Sequence, residues 1–376
     1  MAASTEGPFC IADFETLAKP KLSKAVYDFI QTGANDCVTL RDNITAFRKY
    51  ALRPRMLSNV SDVNLTTTIQ GQQVDSPVGI SPVSYGKMVH PDGELALVRA
   101  CQESGTCYIR STHATRSLDE LARAAPTGVK WYQLFLFKDR NTTLRLVRQA
   151  EDSGYSALVL TVDTAVTGHR VADLNNQFKL APHIRLVDIE SDKAVREEYS
   201  RLEAETGIGA MHYLNAQVFD TSITWEDAKW LKQNTRLPVI IKGILTAEDA
   251  RIAITYGMDG IVVSNHGGRQ LDGVMAAIDA LPDVVKVVNG RCEVYMDGGL
   301  RTGVDVLKAL ALGARAVFVG RPAMWSLAYN GQSGVRRMLQ IFRDELKIAM
   351  MLAGVDSVKH LPENLVVKNC GCCSRL

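Results

Sequence analysis

The chain has 376 residues, more than one minimal domain needs and a size that suits a single α/β barrel with additions. Its 43 basic and 41 acidic residues leave a formal charge of +2 with no long run of either sign, so it lacks the electrostatic footprint of a nucleic-acid binder. No apolar stretch approaches the ~18–20 residues that span a bilayer, and the first residues lack the apolar core of a secretory signal, so no membrane partner is expected.

Residues 1–75 read as a helical segment packed on the rest of the chain. Leu17, Leu22, Val26, Phe29 and Ile30 recur at helical spacing, and Gly33 ends the pattern. Over residues 76–360 the rhythm changes to short β-rich runs, each succeeded by turn residues and an apolar-periodic stretch. The runs are 77–81, 106–111, 129–134, 157–162, 238–242, 260–264, 293–297 and 316–320, with helical stretches such as 246–256 and 303–312 between them. The later runs lack polar alternation, as expected of parallel strands covered on both faces. Eight strand–helix units predict an α/β protein built as a TIM (β/α)8 barrel. No G-x-G-x-x-G succeeds any run, which argues against a Rossmann domain. About 75 residues separate the fourth and fifth runs. The excess, about 175–209, predicts a lid inserted after strand 4, over the barrel mouth.

Residues 361–376 read as a mobile tail. Five of the eight cysteines, Cys10, Cys37, Cys101, Cys107 and Cys292, are scattered and suggest reduced thiols. Cys370, Cys372 and Cys373 cluster in the tail, open to metal, lipid or inter-chain pairing; no ligand partners lie nearby, and no metal site is expected. The final Ser374-Arg375-Leu376 is similar to the S-K-L peroxisomal address, which predicts a peroxisomal import receptor as partner.

Chemistry in such a barrel sits at the strand C-termini, and here almost every run ends in a functional group. They are Ser111, Gln133, Thr161 with Asp163, Lys242, Ser264 with His266, Asp297 and Arg321. The segment SNHGGRQLDG, residues 264–273, places His266 and Arg269 together. A base of near-neutral pKa beside a fixed cation suits binding a carboxylate and removing an adjacent proton; taken alone, His266 also reads as a structural histidine. Asp297-Gly-Gly-Leu-Arg301 and Gly320-Arg321-Pro322 end the last two units as a phosphate cradle would, although either alone reads as an ordinary glycine turn. Lys242 is an amine in an apolar run and requires an anionic partner. Asp163 reads either as the carboxylate that orients His266 or as a helix cap, and Arg170 as a second carboxylate clamp.

Together SNHGGRQLD, TVDT…GHR, KGILTAEDA and DGGLRTG…KALALGA…GRP resemble the FMN-dependent 2-hydroxy-acid oxidase and dehydrogenase family, over about residues 14–354. The peroxisomal 2-hydroxy-acid oxidase branch is the most similar. The resemblance implies that His266 takes the substrate proton with Asp163 in support, and that Arg269 and Arg170 hold the substrate carboxylate. It implies that Lys242 stabilises the reduced flavin. Pro82, Val83 and Ser84 would line its N5 edge, and Ser111, Gln133, Thr161 and Ser264 would bond its ring or ribityl chain. Asp297, Gly299, Arg301, Gly320 and Arg321 would hold ribityl and phosphate. It further implies a homotetramer or homo-octamer, with O2 as acceptor and a 2-oxo acid and H2O2 as products. Where the family usually has two tyrosines this chain has Phe29 and Phe135, and His113 replaces the tryptophan of short-chain oxidases. The resulting site favours medium- or long-chain or aromatic substrates over glycolate. Two other readings stay open: a dehydrogenase using a non-oxygen acceptor, and an FMN-binding protein with weakened catalysis.

Overall fold

Apolar runs without polar alternation need cover on both faces, and the chain meets that need by closing its eight runs on themselves. The computed structural model describes residues 7–181, 183–190, 196–197, 201 and 218–369. Its strands are β1 Val78–Ile80, β2 Tyr108–Arg110, β3 Lys130–Leu134, β4 Ala157–Thr161, β5 Val239–Ile244, β6 Gly260–Val263, β7 Glu293–Asp297 and β8 Ala316–Val319. They pair in sequence order, and β8 returns in parallel to β1, where Val317 faces Val78 and Val319 faces Ile80. Each strand begins and ends within two residues of its predicted run.

Side chains alternate along a strand, so one parity of residues fills the barrel interior. A buried cluster of Ile109, Trp131, Val159, Ile240, Val262, Tyr295 and Phe318 is that interior. Trp131 stacks edge-on to Tyr295 at 5.2 Å and tilts against Phe318 at 5.5 Å. The far end is plugged by the hairpin Thr67–Ile69 and Gln72–Val74, whose Ile69 and Val74 join the cluster. Two residues further along each strand, the same parity reaches the C-terminal mouth.

The N-terminal segment is helical only as far as Lys49. Its first helix, Ile11–Ala18, breaks at the 3-10 turn Lys19–Lys21, because Pro20 lacks the N–H that a continuing helix needs. Lys24–Gln31 restarts behind Ser23, whose hydroxyl accepts from the Val26 amide, and Val38–Thr45 comes next. Beyond these, Tyr50–Leu52 forms an antiparallel pair with Val366–Lys368. This corrects two expectations. Residues 50–75 contain strands, and the predicted tail from residue 361 is tied to the body as far as Lys368.

The described part of the insertion is anchored at its foot. Asp188, in Val187–Glu190, accepts a bidentate pair from the buried Arg110 of β2 (Nη2 to Oδ1, 2.8 Å) and the Tyr132 hydroxyl at 2.9 Å. Residues 182, 191–195, 198–200 and 202–209 of the expected lid, and the tail with Cys370, Cys372, Cys373 and Ser374-Arg375-Leu376, lie outside the described residues.

Trp131→Ala removes the largest side chain of the interior stack and should cost about 3–5 kcal/mol. Denaturant unfolding should show a midpoint well below the parent's.

Candidate active site

The mouth layer is built by strand parity. Ser111, Gln133, Thr161, Lys242, Ser264 and Asp297 are buried there, each two residues beyond an apolar interior residue. Lys242 donates from Nζ to Ser264 Oγ at 2.8 Å and lies 3.3 Å from Asp297 Oδ2, which also accepts from Ser81 Oγ at 3.0 Å. The anion that the buried amine requires is therefore supplied within the protein, by Asp297.

After β6 the chain turns through three successive left-handed residues: His266 at φ 58°, Gly267 at 64° and Gly268 at 74°. Side chains are excluded at both glycines. A Cβ at Gly267 would sit 2.8 Å from Arg321 Nη1, and one at Gly268 2.6 Å from the Leu40 amide nitrogen. Asn265 holds the turn by accepting from the Gly268 amide (3.1 Å) and pairing with Asn43 of Val38–Thr45 (2.8 Å). This turn aims His266 Nδ1 at Asp163 Oδ1, 2.8 Å away. Thr164 Oγ1 donates to the same oxygen at 2.9 Å, and Gln270 Nε2 donates to the Asp163 carbonyl at 3.1 Å.

Burial pushes the Asp163 carboxyl up, but His266 and Lys242 outweigh it, and the group stays below its usual range. Burial pulls the His266 imidazole below its ordinary value, Lys242 and Arg170 pull the same way, and Asp163 opposes them. With Nδ1 bound to a carboxylate, the neutral ring carries its proton there, which leaves Nε2 as the acceptor. The pair is thus a base ready at neutral pH.

Four arginines line the same cavity: Arg170, Arg269, Arg301 and Arg321. The helix Lys24–Gln31 ends against two of them. Arg269 Nη1 donates to the carbonyls of Phe29 (2.6 Å) and Thr32 (3.1 Å). Arg321 donates to Ile30 (2.9 Å), Thr32 (3.0 Å) and Gly267 (2.9 Å). Carbonyls at a helix C-terminus lack intrahelical donors, so these guanidinium groups cap it and are held rigid in return. Burial depresses the pKa of all four, and neighbouring guanidinium groups add to the effect at Arg269 and Arg321. Because arginine keeps its proton, four buried guanidinium groups this close together favour an anion among them.

Around the base the wall is aromatic. Phe29 stacks on Phe178 at 4.3 Å and lies under the Arg269 guanidinium at 4.8 Å. His113 meets Phe135 and Tyr85 edge-on at 5.5 and 5.9 Å. All the residues that the sequence nominates except Asp163 and Ser264 line this one cavity, and those two bond to His266 and Lys242 at its edge. Sequence reading missed Tyr85, Phe178, Thr164, Ser81 and Gln270. Tyr85 comes directly after Pro82, Val83 and Ser84 at the end of β1, and that position at the mouth was the available signal.

The family model described as FMN-dependent dehydrogenase matches residues 18–368. The chain belongs to that family. Human 2-hydroxyacid oxidase 1 is 49% identical over 360 residues, covering 96% of both chains. Glycolate oxidase 3 of Arabidopsis thaliana is 46% identical over 351 residues, covering 93% of this chain and 94% of that one. The solved structure of mandelate oxidase with (S)-4-hydroxymandelic acid superposes with a TM-score of 0.88 at 40% identity, covering 95% of this chain and 98% of that one. The protein is an FMN-dependent oxidase of this family, and FMN is its cofactor.

The cavity fits that group. Gln133 Nε2, Thr161 Oγ1 and Asp297 Oδ1 are buried polar atoms without a partner among the described residues, and all three side chains line the cavity. Such atoms are costly unless a ligand completes them. Gly320 has an ordinary φ of −101°, and a Cβ there would meet no protein atom closer than 3.9 Å. Its missing side chain leaves room beside Arg301 and Arg321, where a phosphate dianion would offset the crowded positive charge.

Arg301→Ala should raise the FMN dissociation constant about 10–100-fold, the loss of one charge-assisted bond to phosphate. Fluorescence titration of the apoprotein checks this, and added salt should weaken the parent more than the variant.

Proposed function

We propose that this enzyme oxidises (S)-2-hydroxy acids bearing medium or long aliphatic or aromatic side chains, converting acid and O2 into a 2-oxo acid and H2O2. The observation that carries the reading is the His266–Asp163 pair beside Arg170 and Arg269 in an aromatic-walled cavity. Bound FMN supplies the two-electron acceptor. Arg269 and Arg170 hold the substrate carboxylate and so place the α-carbon near His266. Nε2 of His266 takes the substrate proton, and Asp163 steadies the imidazolium that results. Lys242 keeps positive charge next to the cofactor pocket, and Phe29, His113, Phe135 and Phe178 exclude water and receive the side chain. The solved neighbour with (S)-4-hydroxymandelic acid supports both the handedness and the aromatic preference. The Ser374-Arg375-Leu376 ending supports a peroxisomal setting, reached through an import receptor, and suits an enzyme whose product is peroxide. A homotetramer or homo-octamer belongs to the same reading.

The deciding experiment mixes the FMN-loaded enzyme anaerobically with glycolate, 2-hydroxyoctanoate and (S)-mandelate, then admits air and assays peroxide. Faster bleaching by the two larger acids and stoichiometric peroxide are expected. Bleaching that a dye reverses and air does not would make the enzyme a dehydrogenase, and no bleaching with any acid would leave only a flavin-binding protein.

His266→Gln should keep FMN bound and lose about 10²–10⁴-fold in rate. In the parent, kcat/KM should rise with pH as His266 loses its proton, with a midpoint below the ordinary value of about 6.5. Asp163→Asn removes the group that holds that pKa up. The rising limb should therefore move to still lower pH while the plateau rate falls, and a limb that stays in place would show that Asp163 does not act on the base.

A further inference from the structure

The two phenols that the family usually presents to its substrate are missing at Phe29 and Phe135, yet a phenol stands in the same cavity. We propose that the Tyr85 hydroxyl donates a hydrogen bond to the carboxylate of the 2-hydroxy acid, completing the clamp made by Arg170 and Arg269. This rests on the substrate class proposed above.

Tyr85 lines the cavity with Phe29, Arg170, His266 and Arg269 and is only 5% exposed. Its ring lies 5.7 Å from that of Phe29 and 5.9 Å from that of His113, so it borders two of the three positions where this chain departs from the family pattern. Arg170 and Arg269 line the same chamber, so the phenol and both guanidinium groups face one bound substrate.

The backbone fixes it there at some cost. Tyr85 sits in the left-handed region at φ 60°, a conformation unfavourable for a side chain this bulky. Its amide donates to the His113 carbonyl (3.1 Å), and its carbonyl accepts from the Met88 amide (2.8 Å). The fully buried Glu94 braces the same turn, accepting from the Gly86 amide at 2.8 Å, the Thr115 amide at 3.0 Å and the Thr115 hydroxyl. One carboxylate thus joins the loop after β1 to the loop after β2 and holds Tyr85 against His113. Strain of this kind persists only where surrounding bonds over-determine it, and it tends to mark ligand-binding positions.

The test is equilibrium binding of benzoylformate to the FMN-loaded enzyme, read as a perturbation of flavin absorbance. Tyr85→Phe keeps the ring and removes only the hydroxyl. It should weaken benzoylformate about tenfold, the loss of one bond to a charged group, and leave the FMN dissociation constant unchanged. Methyl benzoylformate, which has no carboxylate charge, should bind parent and variant alike. The proposal fails if the variant holds benzoylformate as tightly as the parent does, or if the ester loses as much as the acid. A parent that binds neither compound overturns the aromatic substrate class on which this proposal rests, and this proposal with it; a parent that binds with no change in the variant overturns the role of Tyr85 alone.

Discussion

The site depends on how the helix Lys24–Gln31 ends. Its last carbonyls need donors, and Arg269, from the turn after β6, and Arg321, the first residue of the helix after β8, supply them. One set of bonds therefore caps a helix, seats the N-terminal segment on the barrel and immobilises two cations before any anion arrives. A guanidinium held in this way loses little further freedom when it meets a carboxylate or phosphate, so binding carries a smaller entropic penalty. The Asn43–Asn265 pair does the same for the turn that carries His266.

A second constraint is strand parity. The residues that pack the barrel interior and those that face its mouth lie on the same strands two positions apart, as with Tyr295 and Asp297 or Ile240 and Lys242. The aromatic stack beneath makes the polar layer stiff, and the polar layer gives each strand a buried end that a ligand completes. Stability and chemistry share one register, and slipping a strand by one residue would destroy both.

These relations explain what could be read in advance. The eight strands were legible because their apolar runs are unbroken and their ends carry Ser111, Gln133, Thr161, Lys242, Ser264, Asp297 and Arg321. The arginines and His266 were legible for the same reason. The strands at Tyr50–Leu52 and in the Thr67–Val74 hairpin were not, since each is three residues long and is formed by pairing with distant or plugging partners. The Lys242–Asp297 pair joins β5 to β7 across the barrel mouth, and no local pattern announces it. Tyr85 was hidden because its position depends on a left-handed backbone and on Glu94 beneath it. Phe178 was hidden in a stretch whose composition is polar.

Arg269 is hydrogen-bonded by the main-chain carbonyls of residues 29 and 32, and the side chain of residue 29 adds only the aromatic face beneath it. Those bonds do not depend on the side chain, and a tyrosine or a phenylalanine there offers the cation the same aromatic face. Evolution, or an engineer, can reshape the substrate chamber at positions 29 and 135 while the charged machinery is inherited intact, and relatives with different diets would then need to differ only in their wallpaper.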